Sequence, residues 1–341
     1  MRKTLFCGVD LHSNNAVYVV TDQEDKLLLK KRLPNQLPVV LESLEPFRQQ
    51  LKVVAVESTY NWYWLVDGLM DHEYPVVLAN PSAIDQYDGI KEADDLTDAA
   101  FLARLARLDI LPTGYIYPRE DRPVRDLLRR RTLLVRQRTA IILSLQNLAL
   151  RQTGQRRGWR AIRDLSAEER TELLGDHDCL AFVTTEQADL IQLLTEKIKR
   201  FEKKVLEHAR LKPAYKCLLT LPGVGVILAL TIMLETGDIG RFATVGDYTS
   251  YCRCVRARHT SNGKNKGKHN GKNGNAYLAW AFVEAVHESF QTCPQAQRFY
   301  DRKRAQRNGA LATKALAAKW SKAAYYMMKR QEIFDLTRVF G

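Results

Sequence analysis

Four carboxylates in the first hundred residues have the types and spacing for metal chemistry: Asp10, Glu57, Asp95 and Asp98. Asp10 follows the apolar stretch Leu5–Val9, and Glu57 follows Val53–Val56. Asp95 and Asp98 lie three residues apart at the start of an amphipathic segment, so they share one face of a helix. Carboxylate oxygens are hard ligands that favour Mg²⁺. One ion, or two about 4 Å apart, would activate a nucleophile and stabilise a leaving oxygen at a phosphodiester. Any one of these acids alone reads more simply as a surface residue or a helix N-cap. The ordered set at the ends of elements is what points to a metal site.

The elements that must position these acids follow from the apolar pattern. Leu5–Val9, Ala16–Val20 and Lys26–Lys31 read as strands, the first two joined by the polar turn His12-Ser13-Asn14-Asn15. A helix is expected over Val39–Leu51, a short buried strand over Val53–Val56 and a second helix over Tyr60–Met70. A strand over Pro75–Ala79, stopped by Asn80-Pro81, and a helix over Asp95–Leu108 complete the order β-β-β-α-β-α-β-α. That is the order of the RNase-H-like (RuvC-like) α/β fold, in which the ends of the first and fourth strands are neighbours. Three strands before any helix, and no glycine-rich strand-to-helix turn, argue against a dinucleotide-binding domain.

Beyond residue 118 the character of the chain changes. Residues 1–118 hold 11 basic and 17 acidic residues, whereas residues 119–163 hold 13 Arg, no Lys and 3 acids. Apolar pairs recur every seven residues from Leu127/Leu128 to Leu148/Ala149, and a second stripe runs through Ile191, Leu194, Ile198, Phe201 and Val205. Two such helices suggest an antiparallel coiled-coil arm over residues 119–210. Arg125, Arg129, Arg130, Arg131, Arg136 and Arg138 between the apolar pairs are candidates for nucleic-acid contact, since Arg forks onto phosphates. The plain alternative is a solvated helix face over a bundle core.

Residues 211–341 read as a third, mostly helical domain. Leu221-Pro222-Gly223-Val224-Gly225 between two helical segments is a helix-hairpin-helix signature, with Gly223 and Gly225 placed to let backbone N–H groups approach a phosphate. Residues 253–272 carry seven basic residues and no acid in a Gly/Asn-rich loop. Tyr277–Phe290 and Lys314–Met328 read as the closing helices. Cys252 and Cys254 alternate in a strand-like run with no second pair, so neither a zinc site nor a disulfide framework is expected. The aromatic group Tyr60, Trp62, Tyr63 and Trp64 reads as a buried helix face more readily than as a base-stacking platform.

The whole chain has 341 residues, 45% apolar and 27% charged, with a formal net charge of +13. No apolar run approaches the roughly 18 residues of a membrane helix, and the N-terminus reaches a charge too early for a secretory signal. A reduced, cytoplasmic protein with a polyanionic partner is expected.

Taken together, Gly8-Val9-Asp10, Glu57-Ser58-Thr59-Tyr60, Asn80-Pro81 and Asp95-Leu96-Thr97-Asp98-Ala99 resemble the DEDD-type insertion-sequence transposases, the bridge-RNA-guided recombinases. Pro222-Gly223-Val224-Gly225 and Lys272-Asn273-Gly274-Asn275-Ala276-Tyr277-Leu278 resemble that family's second domain, so the likeness runs over nearly the whole chain. Family members commonly have Lys-Thr before the third acid where this chain has Asp94; the spacing to Asp98-Ala99 favours Asp95 over Asp94 as the ligand.

The resemblance implies that a serine of the second domain attacks DNA to form a 5′-phosphoserine, assisted by Mg²⁺ on the four acids. Ser261 is the serine of the matching loop, with Thr260 as fallback, and Arg256, Arg258, Lys264, Lys266, Lys268 and Lys272 would hold phosphate around it. The resemblance further implies target and donor DNA, a structured guide RNA, dimers that pair into a tetramer, and a bacterial or archaeal cytoplasm. Two rival readings are a RuvC-like nuclease or junction resolvase using water, and a non-catalytic RNA-binding scaffold.

Overall fold

In the computed structural model the described residues are 3–84, 95–166, 168–169, 172, 178–209, 212–255, 260–261, 264–265 and 273–341. They fall into two compact units, Met1–Ile116 with Asn270–Asn273, and Tyr117–His269 with Gly274–Gly341.

The first unit is a mixed sheet flanked by helices. Its strands are β1 (Leu5–Leu11), β2 (Asn15–Thr21), β3 (Leu27–Pro34), β4 (Leu51–Glu57), β5 (Val76–Ala79) and β6 (Thr113–Gly114). They lie in the order β3-β2-β1-β4-β5-β6, with β1–β4 and β4–β5 parallel and the other pairs antiparallel. The arrangement is compatible with an RNase-H-like fold. Helices α1 (Leu37–Leu44) and α2 (Tyr63–Asp71) sit between β3 and β4 and between β4 and β5, and α3 (Asp95–Arg107) precedes β6.

Strand period two divides the sheet cleanly. Leu5, Cys7, Val9 and Leu11 belong to a core shared with Val40 and Leu44 of α1 and Leu65, Val66 and Leu69 of α2. The opposite face carries small residues, Gly8, Ala55 and Ala79, and α3 packs there through Ala99, Leu102 and Ala103. Asp10 and Glu57 have the parity of Gly8 and Ala55, so they lie on the α3 side. The helix expected over Val39–Leu51 is shorter than its pattern: it ends at Leu44, a 3₁₀ segment spans Glu45–Gln50, and Leu51 already opens β4. Pro46 breaks the α pattern by removing an N–H donor. The two-residue strand β6 has too short an apolar signal to be read from sequence.

Among the described residues the second unit is helical, apart from the two-residue pair β7 (Thr260–Ser261) and β8 (Lys264–Asn265). Helix α4 (Arg122–Thr153) runs for 32 residues and stops at Gly154 in the left-handed conformation, φ +70°. The short α5 (Trp159–Arg163) follows, and then α6 (Asp178–His208) packs along α4. The pairing is antiparallel: Arg131 bonds Glu202, Arg138 bonds Thr195, and Ile142 shares a core with Ile191. A seven-residue step along α4 from Arg131 to Arg138 is matched by seven residues back along α6, as the apolar spacing requires.

Among the described residues the helices that follow are α7 (Pro213–Leu218), α8 (Val226–Thr236), α9 (Val245–Tyr251), α10 (Ala276–Ser289), α11 (Pro294–Gln306), α12 (Gly309–Arg330) and α13 (Leu336–Phe340). They enclose a core around Trp320, Phe282 and Tyr248 that takes in Val124 and Leu128 of α4. Cys252 and Cys254 correct the strand expectation. Cys252 follows α9, capped by the Thr244–Asp247 box, and both thiols are free and buried. Burial pushes the Cys254 thiol up to about 12.

Candidate active site

Parallel pairing of β1 with β4 sets Val9 opposite Val56, so Asp10 and Glu57 emerge one residue later at adjacent strand ends. Asp10 is 5% exposed and Glu57 is half-buried. The turn beyond them is tied down. Asn61 Nδ2 donates to the His12 carbonyl at 2.9 Å, Asn35 Nδ2 donates to the same oxygen at 3.0 Å, and Thr59 Oγ1 donates to Asn61 Oδ1 at 2.8 Å.

The electrostatics are those of crowded carboxylates. Burial, a hydrogen bond with Asp10 and the charges of Asp10 and Asp98 push the Glu57 carboxyl from 4.5 to about 7. His12, read from sequence only as a turn residue, places Nε2 3.3 Å from Asp10 Oδ2. Asp98 is half-buried on α3, one residue before Ala99. The side chain of Asp95 and all of Asp94 lie outside the described residues. Among the described residues no set of three or more His, Cys, Asp or Glu groups stands close enough to hold a metal ion. The donor chemistry nevertheless fits a hard divalent cation, because Asp10 and Asp98 raise the proton affinity of the Glu57 carboxyl and a cation would relieve that repulsion.

Gly8 is a determinant that the motif Gly8-Val9-Asp10 contained without revealing its role. A Cβ there would lie 1.9 Å from the Ala99 carbonyl oxygen and 2.7 Å from the Ala103 nitrogen. Only a glycine lets α3, the bearer of Asp95 and Asp98, come this close to β1, the bearer of Asp10.

In the second unit the arginines divide. Arg125 and Arg129 turn inward onto Glu235, Arg131 pairs with Glu202, and Arg138 donates to Thr195 Oγ1 at 3.2 Å. Arg130 and Arg136 remain exposed on α4. Gly223 has φ +80°, and a Cβ on it would lie 2.0 Å from the Ala285 carbonyl oxygen, so close packing on α10 accounts for this glycine. Gly225 opens α8, and a Cβ on it would meet nothing within 4 Å.

Arg256, Arg258, Lys266, Lys268 and Lys272 lie outside the described residues, as do the side chains of Thr260, Ser261 and Lys264. The backbone pairs Ser261 with Lys264. Of the aromatic group, Trp62 is buried with Tyr63 edge-on at 4.6 Å, while Tyr60 is 84% exposed. Among the described residues no helix is long and apolar enough to cross a membrane.

Comparison with known proteins agrees with this layout. Residues 7–154 match the IS110-type DEDD family described as "Transposase", and residues 215–301 match "Transposase IS116/IS110/IS902 family". A protein of Streptomyces coelicolor, "Insertion element IS110 uncharacterized 43.6 kDa protein", is 26% identical over 49% of this chain and 44% of its own length. The "Transposase for insertion sequence element IS1328" of Yersinia enterocolitica is 22% identical over 84% of both chains. The two matched regions stand in the same order as the two sets of motifs, and the chain belongs to the DEDD-type IS110 transposase family.

Proposed function

We propose that this protein is an RNA-guided DNA recombinase of an insertion sequence, using a RuvC-like carboxylate domain, a coiled-coil arm and a C-terminal serine domain. The observation that carries the metal part is the Glu57 carboxyl, raised to about 7 by its burial, by its bond to Asp10 and by the charges of Asp10 and Asp98. Asp10, Glu57, Asp95 and Asp98 would hold Mg²⁺, which when bound supplies charge neutralisation at the phosphodiester. Ser261 Oγ attacks phosphorus and the P–O3′ bond breaks. The serine proton ends on the 3′ oxygen, leaving a 5′-phosphoserine and a free 3′-hydroxyl. A 3′-hydroxyl of the joining strand then attacks the phosphoserine and returns the Ser261 hydroxyl. The basic residues of the loop, Arg256 through Lys272, would hold the phosphate.

Exposed Arg130 and Arg136, with the Gly225 end of α8, are the described features that best suit a nucleic-acid backbone. Sequence specificity would come from base pairing by a guide RNA to target and donor DNA, and the working form would be a tetramer of two dimers. Incubation with Mg²⁺ and DNA carrying the element's ends tests the chemistry. A denaturant-resistant protein–DNA adduct should form and should be absent in Ser261→Ala. Cleavage at the wild-type rate by Ser261→Ala would favour a water-using nuclease instead. Sequencing the RNA that copurifies tests the guide: one discrete species is expected, and random RNA would count against it.

A further inference from the structure

Glu235 is 2% exposed near the end of α8, and polar groups from several distant parts of the chain surround it. From α4, Arg125 Nε donates to Oε2 at 3.0 Å, Arg129 Nε to Oε1 at 2.6 Å and Arg129 Nη2 to Oε2 at 2.8 Å. From the start of α10, Asn275 Nδ2 donates to Oε2 at 2.7 Å. The Glu235 carbonyl accepts from Tyr117 Oη at 2.7 Å, and that hydroxyl lies 3.0 Å from Tyr251 Oη at the end of α9. Burial alone would push the Glu235 carboxyl up, but the Arg129 hydrogen bonds, the charges of Arg125 and Arg129 and the Asn275 bond hold it lowered and ionised. Two guanidiniums on one carboxylate leave net positive charge, and aromatic faces share it: Arg125 lies 3.7 Å from the Tyr117 ring centroid and Arg129 4.5 Å from that of Tyr277.

The same residues close the base of the loop that carries Ser261. Asn275 N–H donates to the Tyr251 carbonyl at 2.6 Å, and Arg253 Nη2 donates to the Gly274 carbonyl at 3.0 Å. Gly274, with φ +83°, brings its backbone so near that a Cβ would lie 2.6 Å from the Tyr251 oxygen. Asn275 Oδ1 meanwhile caps α10 through Tyr277 and Leu278 N–H. One asparagine therefore joins the two stems of the loop, starts α10 and reaches the carboxylate on which the arginines of α4 converge.

We infer that Glu235 and Asn275 are positioning residues that fix the base of the Ser261 loop to the arginine helix α4, so that the arm holds the loop in register for attack. This rests on the reading of Ser261 as the nucleophile. The clamp is a device separate from the metal ligands and from phosphate contact.

Asn275→Asp is the discriminating variant. Aspartate caps a helix as well as asparagine does, but it has no N–H to offer Glu235 and sets a second carboxylate beside it. At saturating DNA the rate of adduct formation should fall by roughly tenfold or more. The DNA concentration giving half the maximal rate should change less than about twofold. Backbone amide exchange should rise in residues 251–255 and 274–277 and stay unchanged in α4 beyond Arg136. The double variant Asn275→Asp/Glu235→Gln interchanges amide and carboxylate, restores one donor–acceptor pair, and should return the rate to within about threefold of wild type. A wild-type adduct rate in Asn275→Asp, or no rescue in the double variant, would overturn the clamp. Were the wild-type protein to form no adduct, the serine reading would fall, and the exchange measurement would decide the clamp alone: unchanged stem protection in Asn275→Asp refutes it.

Discussion

Gly8 of β1 and Ala99 of α3 touch backbone to side-chain space, with 1.9 Å between a hypothetical Gly8 Cβ and the Ala99 carbonyl oxygen. Asp10 lies two residues beyond the first and Asp98 one residue before the second, so this contact sets the separation of the two acids. Gly8→Ala must push α3 outward. The expected cost is about 1–3 kcal/mol from overpacking, together with a smaller rise in melting temperature on adding Mg²⁺ than wild type shows. Thermal unfolding with and without Mg²⁺ checks both, and an unchanged Mg²⁺ increment would mean that the helix position does not govern the site.

Glu57 leads to a pH prediction with a definite sign. Its folded-state pKa of about 7 lies above the ordinary 4.5. The metal-free fold therefore gains from this group below about pH 4.5 and loses that gain as pH rises through about 7. Protons and cation compete for the same oxygens, so Mg²⁺ affinity should rise between about pH 6 and about pH 8. Comparing wild type with Glu57→Gln isolates the group. The two should be about equally stable below about pH 4.5, the variant should become the more stable as pH rises through about 7, and the pH dependence of Mg²⁺ binding should flatten in the variant.

The inward and outward arginines of α4 should behave oppositely. Arg125→Ala leaves the buried Glu235 with one guanidinium fewer and should destabilise the protein by about 3–5 kcal/mol. Arg130→Ala and Arg136→Ala, both at exposed positions, should alter stability by less than about 0.5 kcal/mol. Each should instead lower the slope of log affinity against log salt by about 1 for nucleic-acid binding. Chemical denaturation and salt-dependent binding isotherms separate the two effects.

The two hairpin glycines should part in the same way. Gly223→Ala meets both a φ of +80° and the Ala285 backbone, and should cost on the order of 3 kcal/mol. Gly225→Ala meets nothing and should leave the melting temperature nearly unchanged while weakening DNA binding. DNA affinity equal to wild type in Gly225→Ala would remove the hairpin from the interface.

The element order of the first unit, the placement of Asp10 and Glu57 at strand ends and the seven-residue apolar spacing along α4 are legible in the amino-acid sequence. These are local properties: strand alternation, helical period and the residues that end each element follow from neighbours in the chain. Helix α1 ran shorter than its apolar pattern because Pro46 and the start of β4 cut it, and β6 was too short to leave a pattern at all. Which arginines face Glu235 and which face solvent, the approach of His12 to Asp10, and the span of Asn275 across the base of the Ser261 loop emerge from the folded chain. Arg125 and Glu235 are 110 residues apart. No local pattern encodes such a pair, because the cost of burying a charge is set by whatever distant group the fold brings to meet it.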